Sequence, residues 1–515
     1  MNPDQQFDDI SSTADVRSNL RTRSVRAATY TWTVGIADFV LRFGSTAILA
    51  RLVLPEDFGL VMMVTAVTSI ADQFRDLGLS TATVQRKEIT RDEISNLFWI
   101  NVACGFLIAL LVSAASPLIA LFYKEPRLIV PLSILAVNFV WGGLMVQHQA
   151  LLTRQLKLGY TSTLRFLASL VSTILAVILA WKGYGYWALV WREFARCALL
   201  TFGTWAAFPW IPGRPKRTAD VRSLVSFGAD LSAANIIGSI GGAFDRFLLG
   251  RFSGATPTAL YRQAYQLLVL PTEQLLSPVY QVAQPGLSLL QNEGAQFRMF
   301  YRKVLIVACI ATMPLSLFVA VYSTEVTRLV LGTKWLASAP LLMVLSLSAF
   351  IKQPVSSTAF VLIAQGRSRT YLILSLLHHS AAILFMCAGI QWGALGIAYA
   401  ELAATYLLIP PRLYYTFKGS PMTVGAFLLA VARPLTASIA MAIALLFLRQ
   451  LLPDVGAPWA LSIAAVLGSL VFVGVWLLLP GGGRELFELF ADVRSALNRR
   501  VAPTSVSVAT EPARP

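Results

Sequence analysis

Charge is what this 515-residue chain has least of: Asp, Glu, Lys and Arg make up 13% of it against 56% hydrophobic residues, and the mean hydropathy is +0.65. A soluble domain carries about 25% charged residues, so a water-soluble globule is excluded and the chain reads as a polytopic membrane protein. Cysteine is scarce too. Cys104, Cys197, Cys309 and Cys387 all fall in apolar runs without metal-type spacing and read as small core residues. No Gly-Lys loop cradles a phosphate, so nothing argues for ATP. No loop is long enough to bury a core of its own, which leaves the work to be done within the membrane. Met1 to Arg26 is polar and charged throughout, so no cleavable signal is expected before the first apolar run.

What the chain has is long apolar runs, about fourteen of them able to cross a hydrocarbon core of about 30 Å. Six lie in 27–208, before a polar linker at 209–223; six more occupy 224–417, and two lie in 418–480. The eleventh and twelfth, Tyr371–Trp392 and Ala394–Phe417, also read as one hairpin. An arm (1–26) and a tail (481–515) complete the chain. In the tail Leu486, Phe490, Val493 and Leu497 share a helical face, which predicts an interfacial helix before a disordered end.

Orientation follows from where the positive charge falls. Roughly 25 Lys and Arg lie in one set of loops, among them Arg86, Lys87 and Arg91, Arg154 and Lys157, and Arg298, Arg302 and Lys303, against roughly 8 in the other set. The basic set and both termini are therefore expected in the cytoplasm. Spread in this way, the net charge of +16 calls for no nucleic-acid partner.

The halves on either side of the linker are weakly alike. ILARLVLPEDFGLVMM (Ile48–Met63) lies over LLGRFSGATPTALYRQ (Leu248–Gln263), and GYWALVWRE (Gly185–Glu193) over GALGIAYAE (Gly393–Glu401). The two offsets are nearly equal, as a true repeat requires. Repeated membrane bundles place a transported ligand at the repeat interface, so transport is the leading class.

The runs ARLVLPEDFGLV (Ala50–Val61), DLGLSTATVQRKEIT (Asp76–Thr90), ALLTRQLKL (Ala150–Leu158) and FDRFLLGRFSG followed by ALYRQAYQLLVLP (Phe244–Pro271) resemble the polysaccharide-transporter branch of the oligosaccharide flippases. These Wzx-type proteins belong to the superfamily that includes the multidrug and toxin extruders. The resemblance implies an all-α membrane fold of about fourteen helices: two pseudo-repeated six-helix lobes around a central cavity, plus two C-terminal helices. It also implies an undecaprenyl-pyrophosphate-linked oligosaccharide as substrate. One departure is Ala259, two residues before Tyr261, where the family usually has glycine.

Residues that lipid would reject carry the search for a site, since an ionised side chain near mid-bilayer costs about 2.5–3.5 kcal/mol. They are Asp38, Arg42, Asp72, Arg165, Arg192, Arg196, Asp230, Glu273, Lys352, Glu401 and Arg433. Arg196 and Lys352 sit near the centres of their runs and are expected to face the ligand. Arg165 is close enough to an end to snorkel. Thr65, Ser69, Asp72 and Asp76 form one helical stripe, and Gln266, Glu273, Ser277, Gln281 and Gln284 another, with Pro271, Pro278 and Pro285 in a row beside it. Both stripes are expected to line the cavity or to bond neighbouring helices, and the prolines to kink the second helix. Asp38 and Arg42, four apart, form either a structural ion pair or a site in which Asp38 holds Arg42 toward a pyrophosphate; Arg192, Glu193 and Arg196 repeat the constellation. His378 and His379 have no visible acidic partner and read as packed or hydrogen-bonded, and His148 as interfacial.

The reading is a flippase that carries a lipid-linked oligosaccharide repeat unit across the bacterial inner membrane for surface polysaccharide, by alternating access and without enzymatic chemistry. Arg42, Arg192, Arg196, Lys352, Gln266 and Gln281 are the substrate candidates. Asp38, Asp72, Glu273 and Glu401 are candidates for proton or sodium coupling; no metal or other cofactor is expected. Membrane lipids, a polysaccharide polymerase and chain-length machinery are the candidate partners. A cation antiporter of the same superfamily is the rival, and an integral-membrane glycan polymerase a more distant one, disfavoured by the short extracytoplasmic loops.

Overall fold

The computed structural model describes residues 20–76, 79–85, 89–155, 157–208, 210–216, 239–451, 456–485 and 487–488. Asp230 and the face formed by Leu486, Phe490, Val493 and Leu497 lie outside the described residues or side chains. All regular structure among the described residues is helical. The long helices are α1 (Leu20–Leu52), α2 (Pro55–Ala71), α3 (Arg91–Tyr123), α4 (Ile129–Arg154), α5 (Leu158–Trp181), α6 (Tyr186–Ala207), α7 (239–252), α8 (Ala255–Leu289), α9 (Gly294–Val321), α10 (Ala339–Ser356), α11 (Ser368–Gly389), α12 (Gly393–Leu407), α13 (Val424–Leu451) and α14 (Ala457–Leu478). Thr358–Ala364 and Ile409–Phe417 continue α10 and α12. Nine helical stretches among the described residues are long and apolar enough to cross a membrane, and α11 with α12 falls in one of them as the hairpin that the sequence allowed.

Local chemistry sets the ends. Thr90 and Glu93 close a reciprocal capping box on α3, Thr90 N–H donating to Glu93 Oε2 at 2.8 Å and Glu93 N–H to Thr90 Oγ1 at 3.3 Å. Pro55 opens α2, followed by Glu56 and Asp57 in a first turn where helix dipoles favour negative charge. Large apolar side chains point outward, Leu121 at 75% exposure and Leu118 at 70%, as a surface wetted by lipid requires.

Within the first half α3 packs on α4, α1 on α5, and α5 on α6; within the second, α9 packs on α10 and α13, α11 on α12, and α13 on α14. Small residues permit the α3–α4 approach. A Cβ on Gly143 would sit 2.6 Å from the Asn101 carbonyl oxygen, and one on Gly105 would overlap the Phe139 carbonyl. The repeat is visible in the backbone. Helices α2 and α8 begin at Pro55 and Ala255, two hundred positions apart. Gly185 before α6 (φ 55°, ψ −132°) and Gly393 opening α12 (φ 65°, ψ −147°) adopt one and the same left-handed conformation, which needs glycine.

Between the halves, α2 packs along α8, with a Cβ on Gly59 overlapping the Ala255 backbone. One end of the bundle carries the basic loops. At the opposite end the halves are latched: fully buried Trp335 donates to the Ala50 carbonyl at 2.8 Å and meets Phe58 edge-on at 5.3 Å, while Arg51 donates to the Leu329 carbonyl at 2.7 Å.

Candidate functional site

Two charged clusters form inside the bundle, one in each half. In the first, α1 supplies Asp38 and Arg42, joined Nε to Oδ2 at 2.7 Å, and α6 supplies Arg192, Glu193 and Arg196, with Arg196 Nη2 on Glu193 Oε2 at 2.8 Å. The two sets are within electrostatic reach of each other, Arg42 acting on both Arg192 and Glu193. Although deep in the bundle, Arg196 and Glu193 keep side-chain exposures of 40% and 32%, so they line a space rather than fill a core. Asp38 Oδ1 and Arg192 Nε are buried with no hydrogen-bond partner among the described residues. An orphaned polar atom of this kind marks a place for water, an ion or a ligand.

The second cluster is centred on Lys352 of α10 and Glu401 of α12, Nζ to Oε1 at 2.5 Å. Asp245 of α7, Tyr261, Arg262 and Tyr265 of α8, and His378 and His379 of α11 surround them, around a cavity of about 80 Å³. That is room for a handful of water molecules. Asp245 and Arg246 lie 3.9 Å apart beside it. The two clusters are related by the repeat. Glu193 and Glu401 are the last residues of the matched segments, eight positions after Gly185 and Gly393, and each carboxylate is held by a cation.

Several expectations change. Lys352 and Glu401, assigned separately to substrate and coupling ion, are one ion pair. The histidines of α11, expected to lack an acidic partner, lie within electrostatic reach of Glu401. His148, expected at the interface, is fully buried: it donates to the Trp210 carbonyl at 3.0 Å and stacks on Trp205 at 4.4 Å. The cause is the linker, which folds back so that Trp210 is buried, Lys216 pairs with Asp92 at 2.9 Å, and the Lys216 N–H donates to Asn96 at 2.8 Å. The cysteines are not uniformly core: Cys309 is buried, Cys104 and Cys197 are half-buried, and Cys387 is exposed.

The polar groups of the α2 stripe are satisfied locally. The helix ends at Ala71, Asp72 occupies the turn before a short helix (Gln73–Asp76) and pairs with Arg75 at 3.2 Å, and Thr65 and Ser69 donate to carbonyls of their own helix. Helix α8 runs unbroken from Ala255 to Leu289 through its prolines, with Glu273, Ser277 and Gln281 exposed in a row. Gln281 donates to Ser277 at 3.1 Å, and half-buried Gln266 does not line the Lys352 cavity. Glu273 has no ion-pair partner among the described residues. Arg165 is exposed. Arg433 lies near the basic end, paired with Glu485 at 2.5 Å.

Comparison with known proteins sets this geometry in context. The chain is 26% identical over 402 residues to the teichuronic acid biosynthesis protein TuaB of Bacillus subtilis, covering 73% of this chain and 78% of that one. It is 24% identical over 502 residues to the succinoglycan biosynthesis transport protein ExoT of Rhizobium meliloti, covering 94% and 100%. Among solved structures, the lipid II flippase MurJ in an inward closed conformation superposes with a TM-score of 0.68 at 15% identity, over 88% of this chain and 97% of that one. The shared fold is that of a multi-pass helical membrane protein. The model of the polysaccharide biosynthesis protein family matches residues 48–340, more than half of the chain, and the chain belongs to that family.

Proposed function

We propose that this protein flips a lipid-linked oligosaccharide repeat unit from the cytoplasmic to the outer leaflet of a bacterial inner membrane, for O-antigen, capsule or exopolysaccharide assembly. The observation that carries the proposal is the cationic excess deep in the first half, where Arg42, Arg192 and Arg196 face Asp38 and Glu193 and one guanidinium nitrogen is left without a partner among the described residues. A pyrophosphate is the natural counter-ion for such a group, because guanidinium donors match phosphate oxygens in pairs. A cation antiporter calls for the reverse balance.

In this reading the fourteen helices form two six-helix lobes with two further helices, and both termini and the basic end are cytoplasmic. The latch at Trp335 then closes the outer side, and the head group enters from the basic side while its polyprenyl tail stays in lipid. Asp38, Asp72 and Glu401 already hold cations of the chain itself. Proton or sodium coupling is therefore best assigned to Glu273. A polymerase and chain-length machinery would receive the flipped unit. The test is the leaflet distribution of lipid-linked oligosaccharide in cells lacking this protein. Accumulation on the cytoplasmic side, relieved by the natural protein but not by Arg196→Gln, supports the proposal; a normal distribution in the deletion overturns it.

A further inference from the structure

At the basic end of the second half, α9, α13 and the segment after α14 enclose a pocket of about 410 Å³ that belongs to neither charged cluster. Its wall is built by a specific turn. Gly481 has φ 75°, a Cβ on it would meet the Arg433 guanidinium at 3.0 Å, and a Cβ on Gly482 would overlap the Trp476 carbonyl. Fully buried Trp476 donates to the Gly482 carbonyl at 3.2 Å. Folded back in this way, the segment inserts Glu485 between Arg302 of α9, at 2.8 Å, and Arg433 of α13, at 2.5 Å, and Arg433 also donates to the Pro480 carbonyl at 2.6 Å. Lys303 and Arg484 line the same pocket, Arg484 reaching Glu488 at 3.2 Å. Among the described residues, Arg302, Arg433 and Arg484 thus share Glu485 and Glu488, and this positive excess sits beside the apolar side chains of Met299 and Ile306.

Depth identifies what this combination recognises. Helices α9 and α13 have 28 residues each, about 42 Å at 1.5 Å per residue, against about 30 Å of hydrocarbon. Arg302 and Arg433 lie eight and nine residues after Gly294 and Val424, the basic-end starts of those helices. That is about 12–14 Å in; with the surplus of about 12 Å shared between the two ends, the two Cα atoms lie about 6–8 Å inside the hydrocarbon, a depth from which a long guanidinium side chain snorkels outward toward the lipid phosphates. A soluble anion needs only the positive charge, whereas an amphiphile uses both the charge and the apolar wall. Met299 keeps 61% exposure, an apolar surface open to a chain that descends from the pocket.

We propose that this pocket binds the phosphate diester of an anionic phospholipid of the adjoining leaflet, held by Arg302, Arg433 and Arg484, with the first acyl carbons against Met299 and Ile306. The inference does not depend on what the protein transports. It is tested on the full chain, delipidated in neutral detergent, by native mass spectrometry and thermal unfolding with added phosphatidylglycerol, phosphatidylethanolamine or glycerol 3-phosphate. Phosphatidylglycerol is expected to be retained and to raise Tm, and loss of one cation to lower its retention about fivefold. Arg433→Gln removes a charge that also holds Glu485. Arg484→Gln, on a side chain 87% exposed, leaves the turn intact and decides the matter if the first variant does not fold. Equal retention of the two lipids, or phosphatidylglycerol retention unchanged in the folded variants, overturns the site. A Tm response to glycerol 3-phosphate equal to that for phosphatidylglycerol overturns the lipid as its source.

Discussion

Trp335 offers the sharpest test of alternation, because its bonds cross between the halves at the end away from the basic loops. It is fully buried, donates to the Ala50 carbonyl at 2.8 Å and packs on Phe58. Truncation to alanine costs about 3–5 kcal/mol for a buried tryptophan. Trp335→Phe keeps most of the burial and forfeits about 1 kcal/mol of hydrogen bond. If the latch exists only in this state, those sums shift the closed-to-open ratio, by more than about a hundredfold for alanine and about fivefold for phenylalanine. The reporter is Ala259→Cys in a background without Cys104, Cys197, Cys309 and Cys387. Ala259 is 0% exposed and lies one turn beyond Ala255, whose backbone Gly59 touches. Labelling by an impermeant thiol reagent should accelerate by those factors in the two variants. A lowered Tm with unchanged labelling would refute the reasoning, since the latch would then persist in every state.

Removing one partner of a buried ion pair costs about 3–5 kcal/mol and of an exposed one about 0–1; with Glu401 at 11% exposure and Lys352 at 38%, Glu401→Gln should cost about 2 kcal/mol. Lys352→Met with Glu401→Leu should regain most of that in thermal unfolding, and a double-mutant cycle that shows no coupling contradicts the pair. Exchanging Asp38 and Arg42 keeps their ion pair but moves the positive charge by about 5.4 Å along the helix. Protein level should recover relative to the single variants while export does not, and parallel recovery of both would reduce the pair to scaffold. Outside the membrane, the Arg127 guanidinium bonded to Glu125 at 2.7 Å holds that carboxyl below its ordinary value of 4.5. Its stabilisation is whole above that value and lost as the pH falls through the lower, folded one. Glu125→Gln should therefore flatten the acid limb of Tm against pH, and an unchanged limb speaks against the assignment.

Much of the fold was legible because apolar length and glycine placement are local properties. The run boundaries follow from how many apolar residues span hydrocarbon, and the repeat announced itself in Gly185 and Gly393, where the backbone admits no side chain at low cost. The site was legible only in part. Asp38 with Arg42, and Glu193 with Arg196, are within one helical turn of each other, so spacing sufficed. The α2 stripe was legible as spacing, but spacing says nothing of how its polar groups are satisfied: Thr65 and Ser69 bond within their own helix and Asp72 pairs with Arg75.

Sequence by itself determined that this is a helical membrane protein and pointed to the charged residues within its apolar runs, since burying charge in lipid is costly wherever it occurs. Only the tertiary structure decided which charges meet. Lys352 and Glu401 are 49 positions apart, and the rotation of α10 against α12 makes them a pair. His148 is buried because a linker that reads as polar folds back on it through Trp210. Trp335 is a latch because a turn after α9 meets the end of α1, 285 positions earlier. Partners so far apart are chosen by packing, and packing is settled by the whole surface of a helix rather than by the few residues that a motif contains.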